Sequence, residues 1–308
     1  MAKPRSRIKD YLVYLLIRMC VCLVQALPLG VTRSLAASLA GLAYHVDRRH
    51  RLVAEENLRQ AFPGQLTPVQ IDRMVRSTYR HFCGVILEII HLPRKFSPYT
   101  WFQYLNIPRN REMVERLLSG RPLLIVTGHF GNWEMGGYGL GLLGFTAHAV
   151  ARPLDNPFLD DYLRRFREGT GQKLLAKHGD FAKMQSLLDS GGIIATLADQ
   201  DAGARGVFVD FFGRPASTHK AIALLALEHH VPLMVVGCRK IAEPMKYELL
   251  MEDCILPEDY EARTDAVAAM TQRFTTALER IIRSAPEQYF WLHRRWKHQP
   301  ARTRRKVA

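Results

Sequence analysis

The eight residues Thr127-Gly128-His129-Phe130-Gly131-Asn132-Trp133-Glu134 hold the side chains best placed for acid–base chemistry. His129 follows a continuously apolar run, 123–127, that reads as a buried strand. The outer end of such a strand is where ligands meet open α/β sheets. Gly128 and Gly131 permit a tight turn and a close approach of substrate to backbone. Glu134 falls in the first turn of the helix predicted to follow. The H-x-x-x-x-E spacing lets the chain double back so that the carboxylate reaches one imidazole nitrogen. That contact would fix the tautomer and leave the other nitrogen as a general base. Backbone N–H groups at the helix start, with Asn132 beside them as a candidate substrate contact, are available to an anion or oxyanion. The plainer alternative is a core histidine satisfied by a neighbouring acid.

A strand and a helix must hold this turn, and the middle of the chain supplies more of both. Short apolar runs at 146–150, 192–197, 232–238 and 247–251 predict further strands. Segments near 133–143, 157–168, 181–188, 217–230 and 258–284 predict helices. The alternation argues for an α/β domain with a mixed, largely buried central sheet flanked by helices. Upstream, 48–91 is helical in pattern and broken at Phe62-Pro63-Gly64, with Thr67 as N-cap and Pro68 at the first helical position of the second helix. Gly139-Leu140-Gly141-Leu142-Leu143-Gly144 matches the dinucleotide fingerprint. It ends a predicted helix and precedes a strand, the reverse of the order that motif needs. His229 and His230 are adjacent, so on a helix they point about 100° apart and do not face one metal. The sequence holds no Walker A loop, G-x-S-x-G elbow or H-E-x-x-H, and implies no metal or redox cofactor.

Composition bounds the partners. The 308 residues carry 43 Lys+Arg against 29 Asp+Glu, a formal net charge of +14, and 48% are hydrophobic. Such a chain is too apolar to be disordered, and its charge calls for an anionic partner: nucleic acid, a phospholipid surface or an acidic carrier. Five cysteines with no C-x-x-C argue against a disulfide framework and for a reducing, cytoplasm-facing compartment. Lys3, Arg5, Arg7 and Lys9 precede an apolar run over 11–27 that is interrupted by Arg18 and closed by Pro28. Residues 1–46 therefore read as a membrane-associated helical hairpin, either a marginal span or an interfacial element, with two soluble packing helices as the alternative. The catalytic domain is expected over 47–298, with a basic tail over 299–308 that holds Arg302, Arg304, Arg305 and Lys306. Because so much of the charge lies beside apolar ends, lipid is favoured over nucleic acid, and no nucleic-acid partner is expected.

His129–Glu134 resembles the H-x-x-x-x-D/E signature of the glycerolipid and lysophospholipid acyltransferases. With Phe130-Gly131-Asn132-Trp133 inside it, the segment is similar to that of the bacterial lipid A lauroyl/myristoyl acyltransferases. Asn57-Leu58 with Ala61-Phe62-Pro63, Arg152-Pro153, Ala198-Asp199-Gln200-Asp201 with Phe211-Phe212-Gly213, and 286–297 resemble further signatures of that group, in order. Asp155-Asn156 stands where the group often has paired asparagines, and Ala198 where it has proline.

The resemblance implies a glycerolipid-acyltransferase-like fold at the cytoplasmic face of the bacterial inner membrane. It also implies transfer of a fatty acyl group from an acyl carrier protein or coenzyme A thioester to a hydroxyl of a glycolipid such as a lipid A precursor. Mannosyl phosphoinositide, ornithine lipid and lysophospholipid are alternative acceptors. On this reading His129 is the base and Glu134 orients it. Arg165 or its neighbour Arg164 engages phosphate or the oxyanion, and Asp199 and Asp201 organise those two arginines or the acceptor head group. Arg152, in the Arg-Pro turn, is a further substrate contact.

Overall fold

A computed structural model describes residues 6–108, 111–176 and 180–300. Lys3, Arg5 and the basic residues from Arg302 onward lie outside the described residues. Four helices come first: α1 (Arg7–Ala26), α2 (Leu29–Val46), α3 (Arg48–Ala61) and α4 (Pro68–Lys95). Pro28 ends one helix and starts the next, because it lacks the N–H that would continue the ladder. The start of α4 is fixed by a capping box, in which the Thr67 hydroxyl accepts from the Gln70 N–H and the Gln70 side chain accepts from the Thr67 N–H.

The rest is α/β. In chain order it comprises β1 (Leu105–Asn106), α5 (Arg111–Leu118), β2 (Leu123–Thr127), α6 (Trp133–Leu142), β3 (Ala147–Ala151), α7 (Pro157–Glu168), β4 (Lys173–Ala176), α8 (Phe181–Asp189), β5 (Ile193–Leu197), β6 (Val207–Phe211), β7 (Arg214–Thr218), α9 (Ala221–Glu228), β8 (Leu233–Ala242), β9 (Lys246–Ile255) and α10 (Ala266–Ser284). Seven strands form one sheet in the order β1-β9-β8-β2-β5-β3-β4. Five run parallel, while β9 pairs antiparallel with β8 and carries β1 alongside it. The sheet is therefore mixed, and both faces of its central strand β2 are covered: Leu124 and Val126 face the cluster that includes α10, and Leu123 and Ile125 face the one that includes α5.

Several expectations are corrected. The stretch 217–230 begins as the end of β7 and becomes helical only at Ala221, and 258–284 opens as a short 3-10 turn before α10 starts at Ala266. The short strands β1 and β4 and the β6–β7 hairpin carry too little apolar periodicity to be seen in sequence. That hairpin turns on Phe212 and Gly213, with φ of +56° and +73°, the signs a tight I′ turn requires at both central positions. A phenylalanine occupies this position because its ring is buried edge-on against Phe62, Phe211 and Trp291.

The N-terminal hairpin is corrected in one respect: no helix among the described residues is long and apolar enough to cross a membrane. Helices α1 and α2 pack on α4, with the Gln25 amide donating to the Ile90 carbonyl at 2.9 Å and Thr32 hydrogen-bonded to His91 at 3.0 Å. Arg18, which would be costly inside a bilayer, lies over the Tyr162 ring of α7, 4.6 Å from its centre. On the outward side Ile8, Leu12, Leu16, Met19 and Leu23 recur every three or four residues, all more than half exposed.

Candidate active site

His129 and Asp199 each stand two residues past the end of neighbouring parallel strands, β2 and β5, whose register pairs Thr127 with Leu197. The register carried on by two residues sets imidazole and carboxylate side by side. The Asp199 carboxylate accepts from the His129 backbone N–H through Oδ2 at 2.8 Å and lies 2.8 Å from ring Nδ1 through Oδ1. A carboxylate at this site only accepts, so Nδ1 carries the proton and Nε2 holds the free lone pair. The Asp199 side chain is 3% exposed and that of His129 18%, so the acid is sealed while the ring still reaches the surface. Burial alone would raise the Asp199 pKa, but the charge and hydrogen bonds of His129 pull it below the usual carboxylate range. Burial opposes charging of His129 too, yet the neighbouring Asp199 charge and hydrogen bond hold its pKa above the ordinary 6.5.

The expected partner is elsewhere. Glu134, in the first turn of α6, is taken by Arg167 of α7, whose Nε donates at 3.0 Å to one carboxylate oxygen and whose second nitrogen donates to the other. Glu134 therefore does not orient the imidazole; it contributes only a weaker charge that helps raise the His129 pKa. Asp199, expected to organise arginines or a head group, is the orienting acid.

The turn is held from several sides. Gly131 has φ of +58°, and a Cβ there would sit 1.8 Å from the Cys238 carbonyl oxygen, so only glycine fits. Its N–H donates to the Gln288 carbonyl at 3.0 Å, and the Asn132 N–H donates to the Cys238 carbonyl at 2.9 Å. Asn132 is fully buried and caps α6 by accepting from the Met135 N–H at 2.9 Å, so it is a structural cap rather than a substrate contact. These commitments remove the Gly131, Asn132 and Met135 N–H groups from the expected oxyanion site. His81, pushed down to about 4 by burial, is neutral and donates to the Gly131 carbonyl at 3.2 Å.

The C-terminal segment closes the back. Phe290 N–H donates to the His129 carbonyl at 3.0 Å, and the Phe290 and Trp133 rings flank the imidazole. The Asn57 amide donates to the carbonyls of Trp291 and His293 at 2.6 and 2.7 Å, so two distant stretches of sequence meet behind the site. Asp201 is no head-group contact: it lies 2.6 Å from His298 Nδ1 and its own N–H donates to His293. Arg165 pairs with Asp161 at 2.9 Å on an exposed face, while Arg152 and Arg164 join Arg167 around a small pocket. Arg167 had no sequence signal beyond its helix; Asp199 had one, its place at a strand end beside that of His129.

The sequence matches the family model for bacterial lipid A biosynthesis acyltransferases over residues 2–298. The chain belongs to this family. It is similar to the lipid A biosynthesis lauroyltransferase of Escherichia coli (strain K12), 26% identical over 284 residues, 90% of this chain and 89% of the relative. It is similar to the palmitoleoyltransferase of the same strain, 25% identical over 284 residues, 89% and 87% of the two chains. A phosphatidylinositol mannoside acyltransferase of Mycobacterium tuberculosis (strain ATCC 25618 / H37Rv) is 26% identical over 185 residues, 58% of this chain and 56% of the relative. As a member of the lipid A acyltransferase family the protein is an enzyme that transfers acyl groups to a lipid acceptor.

Proposed function

We propose that the enzyme moves a fatty acyl group from a thioester, on acyl carrier protein or coenzyme A, to a hydroxyl of a glycolipid of the lipid A precursor type. The observation that carries this reading is the His129–Asp199 pair, which directs the Nδ1 proton to Asp199, leaves the Nε2 lone pair to act as base, and keeps the ring partly open. His129 Nε2 takes the acceptor hydroxyl proton as its oxygen attacks the thioester carbonyl. The tetrahedral adduct collapses with loss of thiolate, and the imidazolium returns the proton to that sulfur. Asp199 stabilises the imidazolium, as a buried carboxylate on Nδ1 must. A thioester is already activated, so no nucleophilic serine or cysteine is required. Arg167, fixed by Glu134, supplies positive charge for the oxyanion. An apolar cavity of about 130 Å³ between α5, α6 and β9, bounded by Leu105, Met113, Leu117, Gly136 and Leu140, suits the acyl chain.

The test is the purified enzyme with acyl carrier protein and coenzyme A donors of graded chain length, offered a lipid A precursor or a phosphatidylinositol mannoside. Mass spectrometry is expected to find one added acyl group on the first acceptor. The similarity to the mannoside acyltransferase favours the second acceptor as the alternative. No acyl product on either would overturn the reading.

The same reading places the protein on the cytoplasmic face of the inner membrane. Helix α2 also exposes Val31, Leu39, Leu42 and Val46, and the basic residues Arg7, Lys9 and Arg33 of the two helices are exposed. Such a surface lies in the interface plane of an anionic bilayer. Co-sedimentation with phosphatidylglycerol vesicles is expected, lost in a Leu12→Gln/Leu16→Gln variant. Undiminished binding by that variant would remove α1 from the contact.

A further inference from the structure

Helix α7 carries two working faces. Phe158 and Tyr162, four residues apart, meet Tyr11 and Tyr14 of α1, with ring centres 5.2 to 6.3 Å apart. Asp160, Leu163, Arg164 and Arg167 recur at three- and four-residue spacing and form another stripe, turned toward the ends of β3 and β4. Between that stripe and Arg152-Pro153 lies a pocket with a cavity volume of about 40 Å³. A single water needs roughly 10–15 Å³ on such a measure, so the space admits a group of a few heavy atoms and no sugar ring.

The charges around it are unequal. Asp160 is engaged, accepting from the Leu154 N–H at 2.7 Å, and Arg167 is locked to Glu134 at the inner wall. Arg152 and Arg164 lie 3.6 and 3.8 Å from Asp155 and Glu168, too far for direct hydrogen bonds and too exposed for strong pairs. Both guanidinium forks are thus available to a tetrahedral anion, which they match in geometry.

The position relative to His129 is set by the sheet. The register aligns Ala149 with Ala195 and Thr127 with Leu197, so continuing it brings Arg152 level with Gly128. Only β5 separates the two strands, an offset of roughly 9–10 Å. The geometry points to a phosphate-binding pocket, formed by Arg152 and Arg164, that holds a phosphate of the lipid acceptor while its hydroxyl lies at His129. The acceptor is favoured over the donor because the opposite face of α7 is packed against α1, the helix whose apolar stripe is read above as the membrane contact. This assignment rests on the acyl-transfer reading for its lipid, and on the arginines for its phosphate.

The experiment compares wild type, Arg152→Gln/Arg164→Gln and Arg152→Lys/Arg164→Lys. The acceptors are a lipid A precursor with its phosphates intact and the same lipid after phosphatase treatment. The glutamine variant is expected to raise KM for the phosphorylated acceptor by about tenfold or more, with kcat within a few-fold. KM for the treated acceptor and for the donor should be unchanged, and lysine should restore part of the loss. A raised donor KM with acceptor KM intact would move the pocket to the phosphate of the carrier arm and overturn the acceptor assignment. Equal behaviour with both acceptors would overturn the pocket altogether. A second readout needs no catalysis: binding to phosphatidylcholine vesicles doped with the intact or the treated lipid. Selective binding of the intact lipid by wild type, lost in the glutamine variant, supports the pocket even if acyl transfer to every acceptor fails; binding that ignores the phosphate or the substitution refutes it.

Discussion

Replacing His129 by alanine lowers acyl transfer by about 10²–10⁴-fold, the usual contribution of a positioned base, and leaves the protein folded. The fold should survive because the substitution keeps the backbone N–H that donates to Asp199, and the ring it removes is partly open to solvent. What is lost in the ground state is one hydrogen bond to a buried carboxylate, a cost of roughly 1–3 kcal/mol. Initial rates with one donor and one acceptor, beside a thermal melt by circular dichroism, separate the two effects. Near-normal turnover in the folded variant would make the histidine structural and remove the base from the mechanism.

Asp199→Asn is the second large effect, because it tests the partner that the tertiary structure assigns. The expected loss in rate is again about 10²–10⁴-fold, since an amide can present its donor face to Nδ1 and misplace the proton. The pH profile gives the more specific signature. A base works only when neutral, so the wild-type rate falls as pH drops through the His129 pKa, which lies above 6.5. Without the Asp199 charge, burial is left as the dominant influence and lowers that pKa. The acid limb of the variant should therefore move to lower pH while its plateau falls. His81, held near 4, and His293, lowered by burial, do not titrate above 6.5 and leave that limb to His129. An unmoved limb would show that Asp199 does not set the proton on His129.

Much of this site was legible in sequence because its cues are local. An apolar run ending in Gly128-His129, a second glycine and a helix start at Trp133 are short-range signals, and the structure places strand, turn and helix there. The α/β class followed from the same alternation. The partner of His129 was a different kind of fact. Spacing alone allowed Glu134 to reach back, but the first turn of α6 directs it to α7, where Arg167 claims both oxygens. Asp199 arrives from 70 residues away because β5 adds to β2 in one register, and pairing between distant strands leaves no periodic trace in either segment.

The N-terminal run teaches the same distinction. Its composition fixed an apolar helix carrying one arginine, and net charge alone could not choose among anionic partners. Only packing decided that Arg18 folds onto Tyr162 and that the apolar stripe remains outward. By itself the sequence determined which residues prefer strand, turn and helix, and where a histidine could meet solvent. The tertiary structure decided which acid reaches that histidine, because proximity across the chain is set by strand register and helix packing rather than by spacing along it.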